Sequence, residues 1–281
     1  MQNNGFSVLI TVYNKENPYY FEEALSSILN QTLMPSEIVV VKDGRLTPKL
    51  DEILEKFMQN HPRLFSVLAF NDNIGRGEAL RKGVEHTRFK IVAIMDSDDI
   101  SKDFRFEKQL RYLNENVDVD IVGSFIEEFD YNENEVKAIR MVPVAHKDII
   151  KFAKWRMPVN HVTTMFKKDS IIKAGNYENL FGFEDYYLMI RAIQSGCKLG
   201  NIPVCLVKVR TGNDMLKRRG GLKYLTNEIK AQKKFLACGF INYGEFLCNI
   251  SAKSLIRLIP NFIRKNIYRF FLRNKQKVEN K

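Results

Sequence analysis

Over its first hundred residues this chain alternates short Val/Ile/Leu-rich runs with longer amphipathic stretches. That alternation constrains its fold more than any other feature. Residues 6–12, 37–41, 65–70 and 91–95 are apolar runs of strand length, rich in β-branched residues. Between them, Asn17 and Pro18 open a helical stretch with Phe21, Leu25, Ile28 and Leu29 on one face. Residues 48–60 carry Leu50, Ile53, Leu54 and Phe57 at the same spacing, and residues 78–86 form a third helix. Strands separated by helices of this length predict βαβ units and a parallel sheet covered on both faces.

Beyond residue 100 the pattern is less regular. Helices are expected at 105–113, 147–155, 170–174 and 184–194, and strands at 121–129, 136–142, 162–166 and 202–209. From Gly221 the pattern is helical, with a break near residues 239–244. The 281 residues are enough for one α/β domain and a C-terminal appendage. The expected organisation is one α/β domain at 1–220, in two halves at about 1–100 and 101–220. A basic helical region follows at 221–281. Apolar residues at 45% and charged residues at 27% exclude a disordered or collagen-like chain.

The net charge of +11 is unevenly placed. Residues 208–281 hold 18 Lys/Arg against 4 Asp/Glu, a balance of +14, so residues 1–207 sum to −3. No nucleic-acid motif accompanies the basic tail, so nucleic acid is not expected as a partner. A basic tail beside an acidic body points to phosphate groups or an anionic membrane. Along 255–273, Ile256, Ile259, Ile263, Ile267 and Phe270 form one helical stripe interleaved with Arg257, Arg264, Lys265, Arg269 and Arg273. A basic amphipathic helix of this kind lies in a membrane surface rather than spanning it; packing of the stripe on the catalytic domain is the alternative. No apolar run reaches the ~18 residues of a spanning helix, and no signal peptide is apparent. Four cysteines without a Cys-x-x-Cys pair read as reduced thiols. The expected location is cytoplasmic, peripheral on the inner face of the membrane.

In parallel sheets ligands bind beyond the carboxyl ends of the strands. Thr11, Tyr13 and Glu16 follow strand one, Asp43 follows strand two, and Asp96, Asp98 and Asp99 follow strand four, so they converge on one crevice. Three carboxylates in four residues repel one another. As hard oxygen ligands they suit Mg2+ or Mn2+, which commonly bind one or two carboxylates plus substrate phosphates. A capping loop before the 105–113 helix is the structural alternative. Gly75-Arg76-Gly77 is no dinucleotide fingerprint, because no Gly-x-Gly-x-x-Gly follows strand one.

The segments FSVLITVYNKE, EIVVVKDG, NIGRGEALRKG, IVAIMDSDDIS with RFEKQ, HVTTMFKK, FEDYYLMIR and GNDMLKRRGG, in this order over residues 5–240, resemble the family 2 glycosyltransferases of GT-A fold. The nearest flavour is the bacterial polysaccharide-assembly subgroup of amylovoran and colanic-acid type. The resemblance implies a Rossmann-like, mostly parallel α/β sheet flanked by helices, with a helical C-terminal appendage. It further implies an inverting, metal-dependent transferase with a nucleotide-sugar donor, expected to be a UDP-sugar, and a saccharide or lipid-linked acceptor.

By the same resemblance, Thr11, Tyr13 and Glu16 would line the nucleotide, Asp43 would bond the base and Asp96 the ribose region. Arg76 joins this donor set, and Asp98, with Asp96, would hold the Mn2+ or Mg2+ ion. Asp185 would be the catalytic base, with Glu184 beside it. Arg218 and Arg219, in a Lys-Arg-Arg-Gly-Gly loop, would close on the diphosphate. His161 matches a position near the acceptor and ranks below the carboxylates. Lys42-Asp43 stands where the family often has Asp-Asp, and Tyr187 and Met189 stand where it often has Asp and Trp. Two other functions fit a nucleotide-binding α/β sheet. One is a sugar-phosphate nucleotidyltransferase, although its Gly-rich loop after strand one is missing. The other is a non-catalytic nucleotide-sugar or membrane-binding module.

Overall fold

The computed structural model describes residues 5–211 and 221–258. Its first half is a run of βα units: β1 Phe6–Val12, α1 Pro18–Leu29, β2 Glu37–Lys42, α2 Pro48–Asn60, β3 Phe65–Ala69, α3 Arg76–His86 and β4 Ile91–Asp96. Local chemistry sets these boundaries. Asn17 caps α1 by accepting from the Tyr19 amide and Thr47 caps α2 through Leu50, each with proline as the first helical residue. The second half comprises β5 Ile100–Ser101, α4 Arg105–Glu115, β6 Val119–Phe129, β7 Ala138–Arg140, α5 His146–Ala153, β8 Met165–Lys167, α6 Lys168–Lys173, α7 Glu184–Gln194 and β9 Lys198–Arg210. Two helices follow, α8 Gly221–Ala237 and α9 Tyr243–Leu258.

Among the described residues one sheet runs in the order β3-β2-β1-β4-β8-β6-β9-β5, with β7 paired to β6. Strands β3, β2, β1 and β4 are mutually parallel, as the βαβ pattern requires. The other half is mixed: β8 runs antiparallel to β4 and β6, whereas β6 and β9 are parallel. Alternation along β1 feeds two cores. Phe6, Val8, Ile10 and Val12 pack toward α1, α2 and α4, while Leu9 packs on the opposite face with Val39, Val41, α3 and α7.

Two stretches depart from the sequence expectation. Residues 162–166 do not form one strand. His161–Thr163 make a single 3-10 turn and only Met165–Lys167 pair with the sheet. The Thr163 and Thr164 hydroxyls bond back to the Asn160 and His161 carbonyls, which favours the turn over an extended backbone. The pair Ile100–Ser101, too short to show a period, bonds antiparallel to Lys208 and Val207 and turns the segment after β4 back onto β9.

Helix α3 lies close against β1 and β2 because Gly83 has no side chain. A Cβ there would stand 2.4 Å from Leu9 Cδ1 and 2.9 Å from Val41 Cγ2. For Gly83→Ala the gain in helix propensity is about 1 kcal/mol. The overpacking cost of about 1–3 kcal/mol outweighs it, because both neighbours are buried in the sheet core. Because the 2.4 Å overlap is deep, the cost falls in the upper part of that range, so urea denaturation of Gly83→Ala will show a net loss of about 1–2 kcal/mol, and a variant as stable as the parent would refute this packing.

Candidate active site

The carboxyl ends of β1, β2 and β4 lie side by side, with Thr11 in register with Val41 on one side and Asp96 on the other. Tyr13, just past β1, is 38% exposed and so is not a core aromatic. Glu16 accepts from the Ser97 hydroxyl at 2.5 Å and from the Asn17 amide at 2.8 Å, tying the β1 loop to the β4 turn. The buried Asp43 carboxylate accepts from the amides of Ile74 (2.7 Å) and Gly75 (3.3 Å) and from Asn73 Nδ2 (3.0 Å). It thereby fixes the loop that leads into α3. Gly75, with φ 88°, holds the left-handed turn there at no steric cost.

That turn aims Arg76, the first residue of α3, back over the strand ends. Its Nη2 donates to Asp96 Oδ1 at 2.9 Å and lies 3.1 Å from His161 Nδ1. A guanidinium only donates, so Nδ1 accepts and the imidazole proton sits on Nε2, 2.8 Å from the Tyr177 hydroxyl. Burial works against the Arg76 charge, but Asp96, Asp185 and Glu184 outweigh it and hold the guanidinium above its usual range. Burial opposes ionisation of Asp96 as well, yet Arg76 and His161 prevail and lower its carboxyl. His161 is buried; burial and then the Arg76 cation push it down to about 4, against the pull of Asp185 and Asp96. It is a neutral imidazole at physiological pH.

Glu184 and Asp185 open α7, where the helix dipole favours negative charge. Asp185 bonds its neighbour's amide, Tyr186 N, at 2.7 Å. Glu184 is buried with Oε2 unpartnered, and burial followed by the adjacent Asp185 raises its carboxyl above the usual range. Six side chains from five separate segments (Arg76; Asp96; His161; Tyr177; Glu184 and Asp185) thus share one electrostatic neighbourhood.

The three clustered aspartates have different surroundings. Asp96 faces Arg76. Asp99 is buried and accepts from the Arg210 amide at 2.8 Å; burial, then Asp98 and Asp96, raise its carboxyl well above the ordinary range. Asp98 is half-buried at the turn. Arg210 clamps this turn from behind. Its Nε donates to the Asp98 carbonyl (3.2 Å), its Nη2 pairs with Glu23 (2.8 Å), and the guanidinium lies 3.8 Å over Tyr20 and 4.6 Å over Phe129. Below the turn, fully buried Arg105 donates to the Ile94 carbonyl at 2.6 Å. Burial brings its guanidinium down to about 9, against the pull of Asp96 and Asp99, so it remains a cation at neutral pH.

Among the described residues no three His, Cys, Asp or Glu side chains gather into a metal-holding group. The donor set fits a more open site. Asp98, with the second oxygen of Asp96, offers the one or two carboxylates that Mg2+ or Mn2+ takes when substrate phosphates complete the shell. Arg218 and Arg219 lie outside the described residues, as does most of the 255–273 stripe.

Sequence reading placed Arg76, Asp96, Glu184 and Asp185 on the list of site residues but did not find the contacts joining them. It missed Tyr177 and Arg210, which carry no local motif. The periodicity that ends β9 at Arg210 was the only available sign of the latter.

Comparison with known proteins adds three findings. Residues 7–175 match the family model described as glycosyl transferase family 2. The chain is 37% identical over 270 residues, covering 95% of itself and 96% of the relative, to the UDP-Gal:alpha-D-GlcNAc-diphosphoundecaprenol beta-1,3-galactosyltransferase of Escherichia coli. It is 34% identical, over 94% of itself and 97% of the relative, to the amylovoran biosynthesis glycosyltransferase AmsE of Erwinia amylovora. In fold it is similar to the mannosyltransferase PcManGT from Pyrobaculum calidifontis, solved in complex with GDP-Man and Mn2+. That match has a TM-score of 0.63 and 17% identity, and it covers 89% of this chain and 68% of the other.

The neutral His161 makes a pH prediction. An unfolded histidine titrates near 6.5 and the folded one near 4. Between these values the unfolded chain binds a proton that the native state refuses. The stability contributed is complete above about pH 6.5 and is lost as pH falls toward 4. Urea midpoints will drop more steeply with acidification in the parent than in His161→Gln, and parallel curves would show that the native imidazole protonates.

Proposed function

Because the chain belongs to glycosyl transferase family 2, we propose that it is an inverting glycosyltransferase that uses a UDP-sugar in bacterial surface-polysaccharide assembly. The acceptor is a lipid-linked saccharide. The observation that carries this reading is the set of six side chains around Arg76, which joins the strand-end donor crevice to the acidic start of α7. The curated relatives named above support the substrate classes. The name of the E. coli relative specifies UDP-Gal and a diphosphoundecaprenol-linked acceptor, and it aligns with nearly all of this chain.

In this reading the nucleotide lies across the ends of β1, β2 and β4. Thr11, Tyr13 and Glu16 line it, the exposed Tyr13 ring offers a face to the base, and Asp43 braces the loop that closes this end. A divalent cation held by Asp98, with Asp96 beside it, would neutralise charge developing on the leaving diphosphate. Arg76, held between Asp96 and His161, presents a preorganised positive charge to the same region. Asp185 takes the proton of the acceptor hydroxyl as that oxygen attacks the anomeric carbon from the face opposite the leaving group. Glu184, with its raised carboxyl and unpartnered oxygen, is suited to hydrogen-bond a sugar hydroxyl. Arg218 and Arg219 belong to the same proposal as guanidinium partners for the diphosphate.

Two substitutions test the assignment. Asp98→Ala will keep the thermal midpoint while lowering Mn2+- or Mg2+-supported release of UDP from UDP-galactose by about 100-fold or more. Turnover near the parent value would remove the metal from Asp98. Asp185→Asn will lower transfer by about 10²–10⁴-fold at saturating donor with donor affinity little changed. A loss below about tenfold would assign the base elsewhere. Release of pyrophosphate instead of UDP would favour a nucleotidyltransferase.

A further inference from the structure

Helix α9 packs Phe246 against the core around Phe235 and Ile241, yet leaves much of its apolar surface outside. It starts with a capping box, in which the Asn242 side chain accepts from the Glu245 amide at 2.8 Å and the Glu245 carboxylate accepts from the Asn242 amide at 2.9 Å. Its polar residues then point into the protein. Buried Asn249 donates to Gln232 Oε1 (3.1 Å) and to the Lys154 carbonyl (2.9 Å). Lys253 pairs with Glu228 at 3.2 Å, and Glu245 pairs with Lys154 at 2.7 Å. Among the described side chains, residues 243–255, the outward face carries no charge. Tyr243, Leu247, Cys248, Ser251, Ala252 and Leu255 are all exposed, with Tyr243 at 65%, Leu247 at 48% and Leu255 at 69%.

A surface helix normally shows its charged face to water. Here Tyr243, Leu247 and Leu255 stay outside while the polar groups of the helix are matched inside, so something other than water is the proper neighbour of that face. The preceding helix of the hairpin narrows the choice. On α8 the exposed residues include Leu222 and three lysines, Lys223, Lys230 and Lys233. Residues 221–255 contain two acidic side chains, Glu228 and Glu245, and both are drawn into the inward ion pairs. Among the described residues, the exposed side chains of the hairpin therefore combine an aromatic and aliphatic stripe on α9 with three lysines on α8, and no carboxylate is exposed on either helix.

From this we infer that the α8–α9 hairpin docks, through the outward face of α9, on a phospholipid surface that carries anionic headgroups. The combination matches what holds an interfacial helix to a membrane: aromatic and aliphatic side chains at the acyl boundary and lysines against the headgroups. A second copy is the poorer occupant, because among the described residues neither helix exposes a carboxylate that could complement the α8 lysines of a partner copy. This places membrane attachment at residues 243–255, ahead of most of the stripe expected from sequence at 255–273. The inference shares the lipid-linked acceptor reading as its purpose, but its physics is independent of the donor site.

The test is sedimentation of the full-length protein with phosphatidylcholine vesicles, with and without phosphatidylglycerol, at low and high salt. The parent should pellet with the phosphatidylglycerol vesicles at low salt and largely stay in solution with phosphatidylcholine alone. Leu247→Glu combined with Leu255→Glu should cut the bound fraction about tenfold, and Lys230→Glu with Lys233→Glu should do so and abolish the salt dependence. Both variants should hydrolyse UDP-sugar at the parent rate without vesicles, which separates this inference from the donor-site reading. Leu247→Trp keeps the face apolar and should show a blue-shifted emission on adding anionic vesicles. Failure of the parent to pellet, or an unshifted Leu247→Trp spectrum, would overturn the inference. So would unchanged binding by the double-leucine variant, with loss only in Arg264→Glu/Lys265→Glu. A dimer found by light scattering and dissociated by the leucine variant, without vesicle binding, would assign the face to a second copy.

Discussion

The site is organised by one cation. Arg76 touches Asp96 and His161 directly and lies within electrostatic reach of Glu184 and Asp185. Without it, Asp96 would keep only the buried Arg105 as a cationic neighbour, and Glu184 and Asp185 would lose the positive charge that offsets them. Removing one member of a partly buried charge network costs more than forming it gains, because the remaining charges stay desolvated and unpaired. The surrounding geometry follows from this. Gly75 supplies the turn, Asp43 pins the loop through three hydrogen bonds, and Gly83 lets α3 approach β1 closely enough for its first residue to overhang the strand ends.

The same arrangement explains why His161 is neutral. A protonated imidazole would face the Arg76 guanidinium at hydrogen-bond distance, and burial already opposes the charge. As a neutral acceptor it orients Arg76, and its other nitrogen is anchored on Tyr177. The aspartate turn after β4 is treated similarly. Arg210 holds it from behind by one backbone and one side-chain donor, and Arg105 supports it from below. The carboxylate cluster is therefore stabilised by the protein's own cations and donors. A metal ion would add to this balance rather than create it.

The C-terminal helices join the body through a third core, in which Phe235 and Ala231 pack on Tyr186 and Ile190 of α7. Because α7 begins with Glu184 and Asp185, the hairpin that carries the lysines and the exposed apolar stripe is braced against the helix that carries the proposed base. The proposed docking hairpin and the proposed base are thus linked through one packed core.

Sequence alone determined the elements whose signal is local. The β-branched runs of β1, β2 and β4, the Asn17-Pro18 and Thr47-Pro48 helix starts, and the Glu184–Gln194 helix all follow from side-chain period and capping, which neighbours in the chain settle between themselves. Convergence of Thr11, Asp43 and Asp96 was legible too, because parallel strands align their carboxyl ends. What depended on distant pairing was not. The second half of the sheet joins β6 to β9 across about 70 intervening residues and reverses β8 between β4 and β6. One local feature departs from expectation as well: the Thr163 and Thr164 hydroxyls bond carbonyls three residues back and close a turn where a strand is expected. Which atoms meet Arg76, and that α9 faces outward with its apolar side, were decided only by tertiary structure. Both depend on which charged and polar groups from remote segments could be matched in the interior, and no local pattern records that match.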